Sequence, residues 1–213
     1  MKPPKELILI GGGGHCKACI DVIEQEGYYE IKGILDTYKQ VGSKVLEYEV
    51  LGSDDELDFY ISQSYSFLIT IGQVKFASLR SKVFQKLLDK SAHIATVISP
   101  RSYVSRYASI KEGTIVMHGA IINAEVEIDQ NCIINNLCNI DHESKIGKNC
   151  HISTCSVING SCTIGDGVLI GSSSVIIQGI QICKDSIIGA GCIVLNNIEL
   201  KGTYVGNPLR KIK

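Results

Sequence analysis

From Ile98 to Leu200 every sixth residue is a branched aliphatic, running Ile98, Val104, Ile110, Val116 and onward without a miss to Ile182, Ile188, Val194 and Leu200. A six-residue period fits neither the 3.6 of a helix nor a ribbon of hairpins, so each unit must be one short strand plus one corner, stacked repeatedly. The residue four past each aliphatic is usually small, as at Thr114, Ala120, Cys132, Ser144, Cys150 and Ser174. The residue just past it is often Asp, Asn or Gly, as at Asp129, Asn135, Gly147 and Gly165, types that tolerate a tight corner. Three units per turn make a triangular prism of about six coils, roughly 29 Å long at the ~4.8 Å spacing of paired strands. The C-terminal half is therefore expected to be an all-β parallel β-helix with the aliphatic ladder filling its interior.

The first hundred residues read differently. Glu6–Ile10 is an apolar strand, followed by Gly11-Gly12-Gly13-Gly14 and a helical pattern in which Ala18, Cys19, Val22 and Ile23 share a face and Gly27 closes the helix. Ile31–Leu35 gives a second strand ending at Asp36, Ser53 caps a short helix, Tyr65–Ile71 gives a third strand, Lys75–Lys90 an amphipathic helix, and Ile94–Ile98 a strand leading into the repeat. This alternation predicts an α/β domain with a small parallel, Rossmann-like sheet. The expected boundaries are 1–97 for that domain, 98–202 for the β-helix and 203–213 for a C-terminal tail.

Bulk properties exclude several classes. A net charge of −1, with no long run of one sign, gives no electrostatic case for nucleic acid or an anionic membrane. Leu7–Ile10 is too short for a signal peptide and no stretch approaches a membrane span, so the cytoplasm is the expected location. Of nine cysteines, Cys132, Cys138, Cys150, Cys162 and Cys192 fall in the small-residue register where Ser or Ala also stands, which makes them packing residues rather than metal ligands or disulfides. Cys16 and Cys19 form a C-x-x-C at a helix start, read as two helix residues with Cys19 facing the core, against the alternative of a redox dithiol.

Two places carry chemistry. A glycine run between a first strand and its helix aims free N–H groups and the positive helix end at one spot, which suits a phosphate. Cys16 stands where a dinucleotide fingerprint has its third glycine, which weakens an NAD reading, and Asp36 is placed to accept from a ribose or a base edge. The plainer alternative is a tight turn with Asp36 ending a strand. On the rod, His142 has Glu143 beside it and His151 follows nine residues later. An imidazole titrating near neutrality takes a proton from an attacking amine or hydroxyl, and a neighbouring carboxylate raises its basicity. His93 and His118 lack such company and read as structural.

Together Ile8-Leu9-Ile10-Gly11-Gly12-Gly13-Gly14-His15, the segment from Asn135 to Asp141-His142-Glu143, His151 and Gly206-Asn207-Pro208 resemble the hexapeptide-repeat acyltransferases. The likeness is to the branch holding the N-acetyltransferases of bacillosamine and perosamine biosynthesis and the so-called sialic acid O-acetyltransferases. It implies a left-handed β-helix, a homotrimer and acetyl-CoA as co-substrate without a metal. By the resemblance, Gly14, His15 and Lys17 lie near the phosphates of a nucleotide-linked amino sugar and Asp36 near its base. His142 is the general base that deprotonates the sugar amine, and Glu143 fixes the imidazole. Asn135 and His151 line the acetyl pocket, and corner groups at Gly160 and Ser172 hold the pantetheine arm in a groove between neighbouring rods.

The period shows no insertion, so the loop that closes over the site in some relatives must be replaced by the N-terminal domain or a neighbour's. Leu209 and Arg210 follow Asn207-Pro208 where the family commonly has Ala and Lys, leaving Arg210 either a CoA-phosphate contact or a solvated end. The expected activity is N-acetylation of a nucleotide-linked 4-amino-4,6-dideoxyhexose in bacterial surface glycan synthesis. The alternatives are O-acetylation of a sialic acid or related sugar acid, acetylation of serine, a non-catalytic rod, or a small NAD oxidoreductase.

Overall fold

A computed structural model describes residues 4–74 and 76–213. The chain first forms β1 (Lys5–Ile10), α1 (Gly14–Glu26), β2 (Tyr29–Leu35), β3 (Lys44–Val45), β4 (Tyr48–Gly52), α2 (Leu57–Ser62), β5 (Ser66–Ile69), α3 (Ser78–Asp89) and β6 (His93–Ile94). The strand order is β3-β4-β2-β1-β5-β6, parallel except for the β3–β4 hairpin. Leu7, Ile8, Leu9 and Ile10 are all buried, as a strand covered on both faces must be. Ser53 caps the turn before α2 by accepting from Asp55 N at 3.2 Å. The β4 hairpin had no counterpart in the sequence reading, and α3 starts at Ser78 rather than at Lys75, a residue outside the described set.

The expected strand Ile94–Ile98 is two strands. Ile94 pairs with Phe67 in the α/β sheet, whereas β7 (Val97–Ile98) pairs with Ile115–Val116 in the rod. Ala95 and Thr96 carry the chain between them.

From β7 on, two-residue strands recur every six residues, and each pairs in parallel with the strand eighteen residues later, as Ile115 with Ile133 and Ile133 with His151. They stack into three sheets, so the rod is a three-sided left-handed parallel β-helix. The first face holds Ile133–Ile134 and His151–Ile152, the second Ile121–Ile122 and Asn139–Ile140, and the third Glu127–Ile128 and Lys145–Ile146. The ladder from Val116 to Val194 is buried. It ends there: Leu200 is 67 % exposed, and Ile198, bridged to Ile182, takes the interior place. The pair Tyr204 and Leu209 packs over that end, and Arg210–Lys211 runs antiparallel to Thr203–Val205.

The corners correct one reading. The left-handed backbone lies three residues past each aliphatic from Ile110 to Ile188, as at Gly113, Asn131, Glu143, Asn149, Ser161 and Gly167, not at the residue just past it. The latter position has a different demand, because a Cβ on Gly165 would stand 2.6 Å from Lys184 N and one on Gly171 2.5 Å from Ala190 N. Close approach of successive coils is why glycine stands there. The small residues point inward, and their side chains donate to the carbonyl fifteen residues on: Ser144 to Asn159 O at 3.0 Å, Cys132 to Gly147 O at 3.1 Å and Cys150 to Gly165 O at 3.1 Å. A thiol thus does what serine does at equivalent rungs, consistent with packing as the use of these cysteines.

The domain packs α1 onto the first face, burying Cys16, Cys19, Val97, Ile115, Met117 and Ile133 in one cluster. Burial pushes the Cys16 thiol up to about 11 and Cys19 well above its ordinary value, so neither supplies a thiolate near neutrality. His118 joins the two parts, with Nδ1 2.6 Å from Ser99 Oγ and Nε2 2.9 Å from Asp21 Oδ2 on α1.

Candidate active site

The corner Asp141-His142-Glu143-Ser144 lies between the second and third faces. Ser144 is buried inward, while the His142 and Glu143 side chains are 50 % and 57 % exposed. Glu143 takes the left-handed conformation at φ +61°, which turns its carboxylate back on the imidazole: His142 Nδ1 lies 3.2 Å from Oε2. Ser161, one coil on, donates to the same oxygen at 2.9 Å. These two hydrogen bonds, Ser161 first, hold the Glu143 carboxyl below its ordinary range. With Nδ1–H donating to the carboxylate, the lone pair of a neutral His142 is on Nε2, and no described residue bonds to it. The ring lies over Gly160, where a Cβ would be 2.5 Å from Cε1 and 2.7 Å from Nε2.

Asn135 begins the corner that leaves the first face for the second, and His151 stands beside it on the first-face strand one coil on. Asn135 Nδ2 lies 3.1 Å from His151 Nε2, and Asn136 N donates to Asn135 Oδ1 at 2.8 Å. His151 Nδ1 faces the main-chain carbonyl of Gln73 at 2.9 Å. Burial, reinforced by the charge of Arg80, lowers its pKa to about 4. Ser172 is exposed on the same edge of the rod. The expected acetyl-CoA set is therefore divided within one chain: Gly160 belongs with His142 at one edge of the second face, Asn135 and Ser172 lie at the other, and His151 stands next to Asn135 on the first face.

In the N-terminal domain the glycine run behaves as a loop at the carboxyl ends of the parallel strands. A Cβ on Gly13 or Gly14 would meet nothing within 4 Å, so the space in front of the α1 N-terminus is open. The Asp36 carboxylate ties this loop down, accepting from Gly12 N at 2.6 Å, Tyr38 N at 2.8 Å and Lys39 N at 3.1 Å. A cleft of about 340 Å³ lies between the glycine loop, Leu35–Tyr38, Asp54, and Ile71, Gly72 and Leu79. Lys17 is exposed in the first turn of α1. His15 turns instead toward the rod. Its Nε2 is buried with no hydrogen-bond partner among the described residues, and burial, then His151, then Arg80, lower its pKa to about 4.

Sequence reasoning missed Ser161, Gln73 and Arg80. A signal for Arg80 existed: it stands on the stripe Arg80, Val83, Phe84, Leu87 of α3, at the spacing of a buried face. Among the described residues no cluster of three metal-ligating side chains occurs, and no helix is long and apolar enough to cross a membrane.

Residues 6–87 match the PglD N-terminal domain family, and residues 161–196 match the bacterial transferase hexapeptide (six repeats). No curated protein matches the sequence. Among solved structures, a histidine variant of perosamine N-acetyltransferase from Caulobacter crescentus, in complex with CoA and GDP-perosamine, is 28% identical at a TM-score of 0.92, covering 100% of this chain and 98% of its own. PerB from Caulobacter crescentus, in complex with CoA and GDP-perosamine, is also 28% identical, with a TM-score of 0.90 and coverage of 100% and 99%. The acetyltransferase domain of PglB from Neisseria gonorrhoeae, in complex with acetyl coenzyme A, is 25% identical, with a TM-score of 0.92 and coverage of 99% and 100%. With a PglD N-terminal domain match followed by a hexapeptide-repeat match, this chain is similar over its whole length to these hexapeptide-repeat sugar acetyltransferases.

Proposed function

We propose that the chain is an acetyl-CoA-dependent N-acetyltransferase acting on the amino group of a nucleotide-linked amino-deoxy sugar of the 4-amino-4,6-dideoxyhexose type, in the cytoplasmic synthesis of bacterial surface glycans. The observation that carries this reading is the His142 corner, an exposed imidazole with Nδ1 on a carboxylate and a free Nε2. Nε2 accepts a proton from the sugar ammonium-derived amine as its nitrogen attacks the thioester carbonyl. The tetrahedral intermediate then collapses, the C–S bond breaks, and the imidazolium returns the proton to the departing thiolate. Glu143, held by Ser161, stabilises the imidazolium that forms between the two steps. No acyl-enzyme is needed.

The acceptor's nucleotide takes the cleft at the glycine loop, with Gly14 and Lys17 toward its phosphates and Asp36 beside its base. His15 serves this substrate from the seam with the rod, where its buried Nε2 has no partner among the described residues. The acetyl group and pantetheine arm take Asn135, His151, Gly160 and Ser172. Apart from His151, that set lies on both edges of the second face, so the groove is completed by another copy. The outward residues of that face support a homotrimer: Tyr103 and Ile121 are 58 % and 43 % exposed and continue into Val157, Val175 and Ile193. The first face is covered by α1, and the third presents Glu127, Lys145 and Gln181. Nothing here requires a metal, nucleic acid or membrane.

The test is thiol release from acetyl-CoA with a panel of UDP-, dTDP- and GDP-linked amino sugars alongside free and nucleotide-activated sialic acids. Turnover confined to the amino sugars is expected. Transfer only to sialic acids would replace N- by O-acetylation, and no turnover by an intact trimer would leave a non-catalytic rod.

A further inference from the structure

Arg80 has no part in the chemistry above, yet it is 2 % exposed and pairs with no carboxylate among the described residues. An apolar residue would complete the α3 stripe without the cost of desolvating a guanidinium. Its contacts are all neutral acceptors. Nη1 donates to Asn131 O and, at 3.1 Å, to Asn131 Oδ1; Nη2 donates to Gln73 Oε1 at 3.0 Å, Asn149 O at 2.9 Å and Cys150 O at 3.3 Å. Four of these five acceptors belong to corners of the rod. The fifth is a side chain of the loop after β5, itself only 4 % exposed.

That loop faces two ways. Ile71 packs against Gly11 and lines the nucleotide cleft, and Gly72 lies against His15. On its other side, the Gln73 carbonyl lies 2.9 Å from His151 Nδ1, and His151 Nε2 lies 3.1 Å from Asn135 Nδ2. A carbonyl only accepts and an amide NH2 only donates, so these neighbours admit one state of the imidazole, neutral with the proton on Nδ1. Protonation at Nε2 would set N–H against N–H. The positive charge of Arg80 opposes it further.

We infer that Gln73 and Arg80 are positioning residues: Arg80 clamps Gln73 to the rod, the Gln73 carbonyl fixes His151 as its Nδ1–H tautomer, and His151 orients the Asn135 amide that faces the acetyl group. The inference rests on the assignment of Asn135 and His151 to the acetyl pocket. It makes the segment Ile71–Gln73 the physical link between the nucleotide cleft and that pocket.

The test uses the full chain with ¹⁵N-labelled histidine, following the His151 ring nitrogens by NMR in the wild type, Gln73→Met and Gln73→Glu, together with acetyl transfer by each. Wild-type His151 is expected to stay neutral with its proton on Nδ1 until about pH 4. In Gln73→Met the carbonyl is no longer held against the ring, so the proton should cease to be confined to Nδ1 and the two ring-nitrogen shifts should move toward each other, and kcat should fall about tenfold to a hundredfold, the scale of an ångström-size misplacement. Gln73→Glu keeps an acceptor on Arg80 and should restore the His151 state and most of the turnover. Should Gln73→Met not fold, Gln73→Asn withdraws the same oxygen by one methylene. A folded variant in which His151 does not move, or in which it moves without loss of turnover, overturns the inference. If the wild type acetylates no nucleotide-linked amino sugar, the functional reading fails by itself, because the NMR readout needs no substrate.

Discussion

Substituting Gly160 by alanine adds one methyl group at the floor of the proposed base. Ideal geometry puts that carbon 2.5 Å from His142 Cε1, 2.7 Å from Nε2 and 3.1 Å from Nδ1. Ordinary carbon contacts lie near 3.5–4 Å, so the ring must retreat by about 1 Å or more. It is able to do so, because the imidazole is half exposed and the clash is with the far end of a side chain. The Gly160 backbone is not in the left-handed region, so alanine fits it without strain. The fold should therefore survive, with stability changed by no more than about 1 kcal/mol. A displacement of about 1 Å at a reacting group lowers turnover by roughly a hundredfold. Gly171→Ala is the control: its Cβ would lie 2.5 Å from Ala190 N and from Gly189 C, main-chain atoms that cannot swing aside. That variant should lose on the order of 1–3 kcal/mol, as overpacked sites do. Thermal unfolding and acetyl-CoA thiol release separate the two. A Gly160→Ala protein that turns over like the wild type would refute the placement of His142 as base.

Stability should depend on acid in a defined window. His15 and His151 are both held at about 4 in the folded protein against 6.5 as the ordinary value, so the unfolded chain binds more protons between those limits and stability falls as pH drops from 6.5. The loss reaches roughly 3 kcal/mol per imidazole by pH 4, less their mutual coupling, and thermal melts that stay level across this range would contradict it. Ile121→Glu puts a carboxylate into the uncovered apolar second face and should give a folded monomer by light scattering with no measurable turnover; an active monomer would remove the shared groove.

The rod was legible because its signal is repeated: one inward aliphatic per six residues leaves no other fold that buries Ile122, Ile128, Ile134 and Ile140 on successive faces. The phase within each repeat was not, since Asn and Asp suit both a left-handed corner and the residue before it, and only coil-on-coil contact at Gly165 and Gly171 distinguishes them. The His142–Glu143 pair was visible as neighbours in sequence, whereas Ser161, which anchors the carboxylate, is eighteen residues away and becomes a neighbour only through the coil. His15 stood in a phosphate-binding motif by pattern, but the docking of α1 on the first face turns its ring toward His151. The Arg80 cluster ties α3 to rod residues 51 to 70 positions away, a distance no local pattern spans.

The most direct measurement is turnover by His142→Ala with saturating acetyl-CoA and the best nucleotide-linked amino sugar. The side chain is half exposed and Glu143 keeps its bond from Ser161, so the variant should fold, assemble and bind like the wild type. Its kcat should be lower by a hundredfold or more, the contribution of a positioned general base. A kcat within a fewfold of the wild type, in a folded assembly, would mean that the amine loses its proton elsewhere.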